Sequence, residues 1–246
     1  MTAVVAFELT SPVTQAAAEF SLGQAFKQGD VPSGQYLHCD LTNFAITPTR
    51  YWNDGSVKLA TIKGRVPLTA NVAKRINIWR NSTAESVGTI LTAGSIATAA
   101  PTASVQFGTF GTVSLSSLLA SPVLTYYSTK EMVCCVYSAK CGSDPSLHAE
   151  FVVSLWASGT MEIEVAGYNG YLNGSEAVQK DYVPTVIIGG VTVWNNSGAT
   201  YHHSRAASWV RRGWLGPDPQ VLPPHDKGSL VRTRLFATYT VPSPRS

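Results

Sequence analysis

Short runs in which apolar and polar residues alternate, separated by Gly, Pro, Asn and Ser, recur along most of this chain. The clearest are Val57–Ile62 (VKLATI) and Arg75–Trp79 (RINIW), and Val4–Leu9 alternates more weakly. Alternation with a period of two predicts β-strands that bury one face. Many short strands joined by turn residues are typical of an all-β sandwich or barrel, which is the fold class we expect, with few short helices.

The second half of the chain carries hairpin signals. Phe151–Trp156 and Met161–Val165 flank a short turn, and two β-branched runs within residues 183–194 are separated by Gly189-Gly190. Runs spaced in this way predict antiparallel hairpins. A Thr-rich run over residues 230–241 predicts a terminal strand.

Helix signals are few. Thr14–Phe20 (TQAAAEF) is a short helix candidate, and Leu115–Leu119 could form one turn. Val87–Val113 is rich in Ala, Gly, Thr and Ser and has almost no charge. It is either a flexible loop or exposed β arm that contacts a partner, or an ordinary meander of short strands.

The length of 246 residues suits one large β domain or two small ones. A soft division falls near Ser121-Pro122, between a turn-rich first half and a second half with longer strands. We expect a single β-rich module over residues 1–246, which could divide into lobes 1–121 and 122–246.

Charged residues make up only 13% of the chain, against about 25% in typical globular domains. The surface must therefore consist largely of Ser, Thr, Asn, Gln and Gly, as in proteins that pack into assemblies or work outside cells. The net charge of +3 is spread without a run of like charges, so we expect no nucleic-acid partner. No apolar run is long enough for a membrane helix, and Met1–Glu8 lacks the pattern of a signal peptide.

The four cysteines are Cys39, Cys134, Cys135 and Cys141, without a CxxC pair. The adjacent pair should point to opposite faces of a strand. We expect buried, reduced thiols; a disulfide between Cys135 and Cys141 stays open. The spacing does not favour zinc, and no metal or cofactor is expected.

The first candidate site is Trp52 with Asp54, in the run YWNDGS. Asn, Asp and Gly in succession predict a tight hairpin turn, with Tyr51 and Trp52 packed beneath it. The alternative is an aromatic shelf for a sugar, with Asp54 accepting hydrogen bonds from hydroxyl groups.

The chemically densest stretch is residues 201–214. Its candidate binding residues are Tyr201, His202, Arg205, Trp209, Arg211, Arg212 and Trp214. Arginine forks and aromatic rings could hold an anionic sugar or a phosphate, or anchor a protein interface. They could equally form a structural arginine–aromatic layer. Adjacent histidines do not share a strand face, which argues against a two-histidine metal site.

No established catalytic motif occurs in the chain, and we expect no catalytic residues. His225-Asp226 is a possible acid–base pair that lacks a nucleophile partner. Glu162 and Glu164 alternate with apolar residues and should face solvent rather than form a hydrolase pair.

Several segments resemble the N-terminal, RIFT-barrel-like β domain of exo-rhamnogalacturonan lyase-like proteins. They are residues 21–34 (SLGQAFKQGDVPSG), the turn and strand at 52–60 (WNDGSVKLA), and the hairpin Phe151–Asn169. Similar architecture occurs in phage and prophage tail-associated proteins, with a pattern that His202, Arg205, Trp209, Trp214 and Asp226 match. The lyases continue into a helical barrel that holds the catalytic residues, whereas this sequence ends at Ser246, so the resemblance implies the β part alone.

Three hypotheses follow. The first is a phage virion protein of the tail, baseplate or fibre: a β scaffold or adaptor that contacts copies of itself and other virion proteins, assembled in the host cytoplasm and released by lysis. The second is a carbohydrate-binding module for host surface polysaccharide. The third is a polysaccharide lyase or hydrolase.

Overall fold

The computed structural model describes residues 2–85, 88–170 and 178–221. Over these residues the chain forms two compact units. The first unit contains residues 2–85 and 219–221, and the second contains residues 88–170 and 178–218. The terminal strand predicted over residues 230–241 and the pair His225-Asp226 lie outside the described residues.

The expected all-β class is confirmed, since both units consist mainly of antiparallel strands. The division predicted near Ser121-Pro122 falls within the second unit, whereas the two units separate near residues 87 and 218. No helix in the described part of the chain has the length and apolar character needed to cross a bilayer.

The first unit is built from two three-stranded sheets that share one apolar core. One sheet has the strand order β1 (Thr2–Leu9), β6 (Lys74–Asn81), β3 (Tyr36–Cys39); the other has the order β2 (Gln15–Ala25), β5 (Val57–Leu68), β4 (Phe44–Tyr51). The predicted alternating runs lie in β1, β5 and β6. The core includes Leu9, Phe20, Phe26, Ile62, Val66, Ile76 and Ile78.

The predicted helix at Thr14–Phe20 is wrong, because this segment belongs to β2. Ala18 and Phe20 are both buried, and Phe20 lies opposite Gly64 of β5. Three alanines favour a helix by less than about 1 kcal/mol per residue, and an isolated helix of this length is marginal in water. Pairing along β5 and burial of the phenyl ring therefore outweigh the local preference.

The second unit is a sandwich of two sheets with a small ribbon beside it. The five-stranded sheet has the order β17 (Ser208–Leu215), β12 (Met161–Asn169), β11 (Leu147–Trp156), β10 (Met132–Lys140), β9 (Leu124–Ser128). The four-stranded sheet has the order β15 (Val191–Trp194), β14 (Pro184–Ile188), β7 (Ala103–Phe107), β8 (Thr112–Ser114). The ribbon pairs β13 (Lys180–Tyr182) with β16 (Tyr201–His203).

Both predicted hairpins are confirmed: β11 pairs with β12, and β14 pairs with β15 across Gly189-Gly190. Cys134 and Cys135 point to opposite faces of β10, as predicted. Cys135 lies in the core between the two sheets, and Cys134 packs with Met132 and Trp156 on the other side. The single turn expected at Leu115 is a 3-10 helix, Leu115–Ser117.

The idea that Val87–Val113 is a flexible loop or exposed arm is wrong for its described part. It contains the one described α-helix, α1 (Ala93–Ala99), and the antiparallel pair β7 and β8. The backbone N–H of Thr92 donates to Ser95 Oγ at 3.1 Å, which caps the helix start. Ile96 of α1 and Val105 of β7 are fully buried in the core of the sandwich, so apolar burial fixes this segment within the second unit.

We predict that Gly64→Ala lowers the free energy of unfolding by about 2 kcal/mol. A Cβ at Gly64 would lie 2.7 Å from the carbonyl oxygen of Asn43 and 3.1 Å from the ring of Phe20. Gly23 of β2 is the matched control, because a Cβ there meets nothing within 4 Å. Urea unfolding of both variants tests the prediction; equal losses at the two positions would contradict it.

Candidate functional site

The candidate residues Trp52 and Asp54 form the hairpin turn between β4 and β5. The Asp54 carboxylate accepts hydrogen bonds from the backbone N–H and the hydroxyl of Ser56, at 3.0 and 2.6 Å. These bonds lower the pKa of Asp54, with the Ser56 hydroxyl as the largest cause. The Trp52 Nε1–H donates to the carbonyl of Phe26 at 3.2 Å, and Lys58 Nζ lies 4.4 Å from the centre of its ring.

The predicted hairpin turn is confirmed, and the polar groups of Asp54 and Trp52 have partners within the first unit. Tyr51 differs from the prediction. It was expected to pack beneath the turn, but it is 60% exposed. It is the last residue of β4, and the strand register shifts next to it, between Arg50 and Tyr51.

In the second unit, a chain of hydrogen bonds runs through Trp209, Tyr182 and His203. His203 is fully buried, and its Nε2 lies 3.0 Å from the carbonyl oxygen of Ala207. A carbonyl only accepts, so Nε2 carries the proton, and in the neutral ring Nδ1 is an acceptor. The Tyr182 hydroxyl donates to Nδ1 at 2.7 Å and accepts from Trp209 Nε1–H at 3.0 Å. We call this arrangement the Tyr182 hydrogen-bond chain; all its polar groups are satisfied.

Aromatic rings pack around the Tyr182 hydrogen-bond chain. The ring centroids of Trp194 and Trp209 are 4.9 Å apart, and those of Trp194 and Tyr201 are 5.4 Å apart. The Arg211 guanidinium lies 3.9 Å from the centre of the Trp194 ring, in cation–π geometry. Tyr201, Trp209 and Arg211 are thus the predicted site residues that the fold brings together. They form the structural arginine–aromatic layer that the sequence left open as an alternative.

Arg212 and Trp214 lie on the opposite face of β17 from Trp209 and Arg211. Arg212 bridges two carboxylates of β12: its Nε lies 2.9 Å from Glu162 Oε1, and its terminal nitrogen lies 2.9 Å from Glu164 Oε2. The two glutamates point away from the core, as predicted. Burial raises the pKa of Glu162, and Arg212 partly offsets that rise.

The remaining predicted residues of this stretch are exposed. His202 Nδ1 lies 2.9 Å from Asp181 Oδ1 across the ribbon, and this contact is the largest cause of a lowered pKa for Asp181. Arg205 is exposed in the connection between β16 and β17. Residues 201–214 therefore divide among a partly buried arginine–aromatic layer around Trp209, an ion-paired face and an exposed edge.

A buried polar cluster next to this layer was missed by sequence reasoning. The Asn169 side chain is fully buried and donates to the carbonyls of Val178 and His203, both at 2.8 Å. The Ser146 hydroxyl lies 3.1 Å from Asn169 Oδ1 and 2.9 Å from Asp144 Oδ1. The turn signal Asp144-Pro145-Ser146 marks part of this cluster in the sequence. The partners of Asn169 are backbone groups of distant segments, so no local pattern indicates them.

Asp144 ties this cluster to the ribbon through an ion pair with Lys180 of 2.7 Å. Burial alone would raise the pKa of Asp144. Hydrogen bonds from Lys180 and from the backbone and hydroxyl groups that surround the carboxylate outweigh burial and bring the pKa to about 2. The charge is therefore retained at neutral pH and holds the start of β13 in place.

The four cysteines are free and buried, as expected. Burial raises the pKa of the Cys141 thiol to about 11, so it carries little thiolate at neutral pH. Among the residues that the structure describes, no three His, Cys, Asp or Glu side chains cluster as metal ligands would.

A surface feature also missed in the sequence lies on β9, the outermost strand of the five-stranded sheet. Leu124 and Tyr126 of β9 are 48% and 57% exposed, and Val123, which immediately precedes the strand, is 68% exposed. We call them the apolar strip. The strand register shifts between Cys134 and Cys135, which leaves Tyr126 as the extra residue of a β-bulge. The available signal was charge: residues 86–129 contain no Asp, Glu, Lys, Arg or His.

Fold and side-chain geometry define an all-β protein of antiparallel sheets, with a sandwich in its second unit. The chain matches no protein-family model and no curated protein sequence.

We predict that Tyr182→Phe lowers the free energy of unfolding by about 2–3 kcal/mol. The change leaves Trp209 Nε1–H and His203 Nδ1 buried without their partner, and such groups cost about 1–3 kcal/mol each. Tyr137→Phe is the matched control: this hydroxyl is buried beside the Cys135 thiol and, among the described residues, makes no hydrogen bond of normal length and angle. Its removal should leave the free energy of unfolding unchanged or raise it, because no strong hydrogen bond is broken. Similar losses for both variants in chemical unfolding would sink the prediction.

We predict that stability falls in acid through His203. Burial lowers the pKa of His203 below 6.5, because the charged imidazolium would lose its hydration. Below that pH the unfolded chain binds a proton that the folded chain does not. The free energy of unfolding therefore decreases, by at most about 1.4 kcal/mol per pH unit, until the folded pKa is passed.

The measurement is the unfolding free energy between about pH 5 and 8 for the wild type and two variants. His203→Gln should remove the slope. His202→Gln, at the exposed neighbouring position, should retain it. A slope that survives the first change and disappears with the second would contradict the assignment.

Proposed function

We propose that this chain is a non-catalytic structural protein of a phage particle, associated with the tail, baseplate or fibre. It acts as a β scaffold or adaptor between copies of itself and other virion proteins. It is incorporated into particles in the host cytoplasm and leaves by lysis. The observation that carries the proposal is the apolar strip, which exposes two aliphatic side chains and a tyrosine at the start of an edge strand of a sheet. Contiguous exposed apolar surface on a soluble domain marks interaction sites.

The surroundings of the strip add support. Residues 88–129 supply α1, β7, β8 and β9 without a single ionisable acidic, basic or histidine side chain. The backbone N–H of Leu91 donates to the carbonyl of Thr129 at 3.0 Å, which places the approach to α1 beside the end of β9. Ile90, next to it, is 36% exposed. Covering such a surface removes few charges from water, so protein contacts here cost little desolvation.

The disposition of the reactive side chains also fits a structural role. His203, Tyr182 and Trp209 bond to one another in the interior, and Arg212 is held by two glutamates. Their hydrogen-bonding capacity is used to maintain the fold. The sequence resemblance to β domains of phage tail-associated proteins supports the assignment to a virion.

Recognition of host surface polysaccharide is the alternative, and the geometry supports it less. Trp209 is only 6% exposed, so its ring cannot stack on a sugar. The ring of Trp52 has Lys58 over one face. Exposed Tyr51 is the ring in this region that a sugar could reach.

The test is quantitative mass spectrometry of purified phage particles from a host strain that carries the gene. We expect the chain in several copies per particle, because a scaffold joins repeated subunits. Particles washed in high salt are the control for adsorbed protein. Absence of the chain from washed particles would refute the proposed function.

A further inference from the structure

We propose that the apolar strip is the contact through which two copies of this chain associate about a two-fold axis. This inference rests on the proposed scaffold function and names the surface that carries it. Among the described residues, β9 pairs with no strand other than β10, and on its other side Leu91 contacts only the end of the strand, at Ser128 and Thr129. The strip lies at the start of this edge strand, where the N–H of Val123 donates to the carbonyl of Val136 on β10 at 2.8 Å.

The chemistry of the strip selects a neutral partner. A charged partner surface would lose its hydration against residues 88–129, which offer no counter-charge in return. A neutral surface pays no such cost. The same strip on a second copy is neutral, apolar and present at equal concentration. Two such strips face each other without bringing like charges together.

The local backbone indicates contact through side chains rather than an extended sheet. Pro122 precedes the strip and cannot donate a backbone hydrogen bond. The bulge at Tyr126 interrupts the regular row of N–H and C=O groups that strand addition requires. The exposed side chains of Leu124 and Tyr126 remain available for packing. In a two-fold contact each strip meets its own copy, so residues near the axis approach the same residues of the partner.

Disulfide trapping tests the geometry directly. Tyr126→Cys places a thiol at the proposed axis, and mild oxidation should give a dimer on a non-reducing gel. Val191→Cys is the matched control, because Val191 is 64% exposed and lies on β15, at the outer edge of the other sheet. It should stay monomeric, as should the wild type, whose four cysteines are buried. Equal trapping at both positions would overturn the proposal.

Sedimentation velocity over a range of concentrations tests the energetics. Leu124→Lys with Tyr126→Lys sets charges of the same sign against each other and removes apolar contact. The dissociation constant should rise roughly thirtyfold or more, as for loss of an interface hot spot. Val191→Lys should leave it unchanged. Thermal unfolding checks that the variants fold. If the double variant is unfolded, the disulfide-trapping result alone tests the proposed contact.

The outcomes separate the two proposals. If the double lysine variant associates as tightly as the wild type, the inference is wrong and the scaffold function is unaffected. A chain that is present in particles but monomeric in solution also overturns the inference alone, and the strip then faces another virion protein. A dimer that forms through the strip, with no chain in washed particles, refutes the virion role and retains the interface.

Discussion

The Tyr182 hydroxyl joins segments of the second unit that are far apart in the chain. Tyr182 lies on the ribbon strand β13, its acceptor His203 on β16, and its donor Trp209 on the sheet strand β17. A buried hydrogen bond contributes only about 1 kcal/mol when it is made, but leaving its groups unpaired costs more. Once the rings around it are buried, the Tyr182 hydroxyl, the His203 imidazole and the Trp209 indole must meet in this one arrangement. The ribbon is thereby anchored beside the sandwich.

The alternation of side chains along a strand explains why a stretch rich in histidine, arginine and tryptophan does not form a single pocket. Successive residues of β17 point to opposite faces, so Arg211 and Arg212 take different environments: the ring of Trp194 on one side and two glutamates on the other. His202 and His203 separate in the same way, one exposed and one fully buried. Side chains that are neighbours in the sequence therefore lie on opposite faces of the strand, because side-chain direction alternates with each residue.

The exterior follows a different physical rule. Low charge leaves the surface of residues 88–129 without the strong hydration that keeps charged surfaces apart. The edge strand has a bulge and a preceding proline, two devices that hinder indefinite strand addition, but it lacks the charged residues that would also hinder apolar packing. The bulge and the proline hinder the addition of further strands, whereas the absence of charge on β9 leaves its side chains free of charge repulsion in a side-chain contact.

The local pattern of the sequence predicted seven of the seventeen described strands, and within them it predicted side chains that face inward. Period-two alternation placed Met161, Ile163 and Val165 inside and the intervening glutamates outside, and Gly189-Gly190 marked a hairpin, because these features depend only on neighbouring residues. The tertiary structure alone decided that the alanine-rich segment of β2 is a strand, that β14 pairs with β7, and that Asn169 and Tyr182 organise the interior. Each of these outcomes depends on contacts between segments distant in the chain, and the energy of such a contact exists only after both segments are in place.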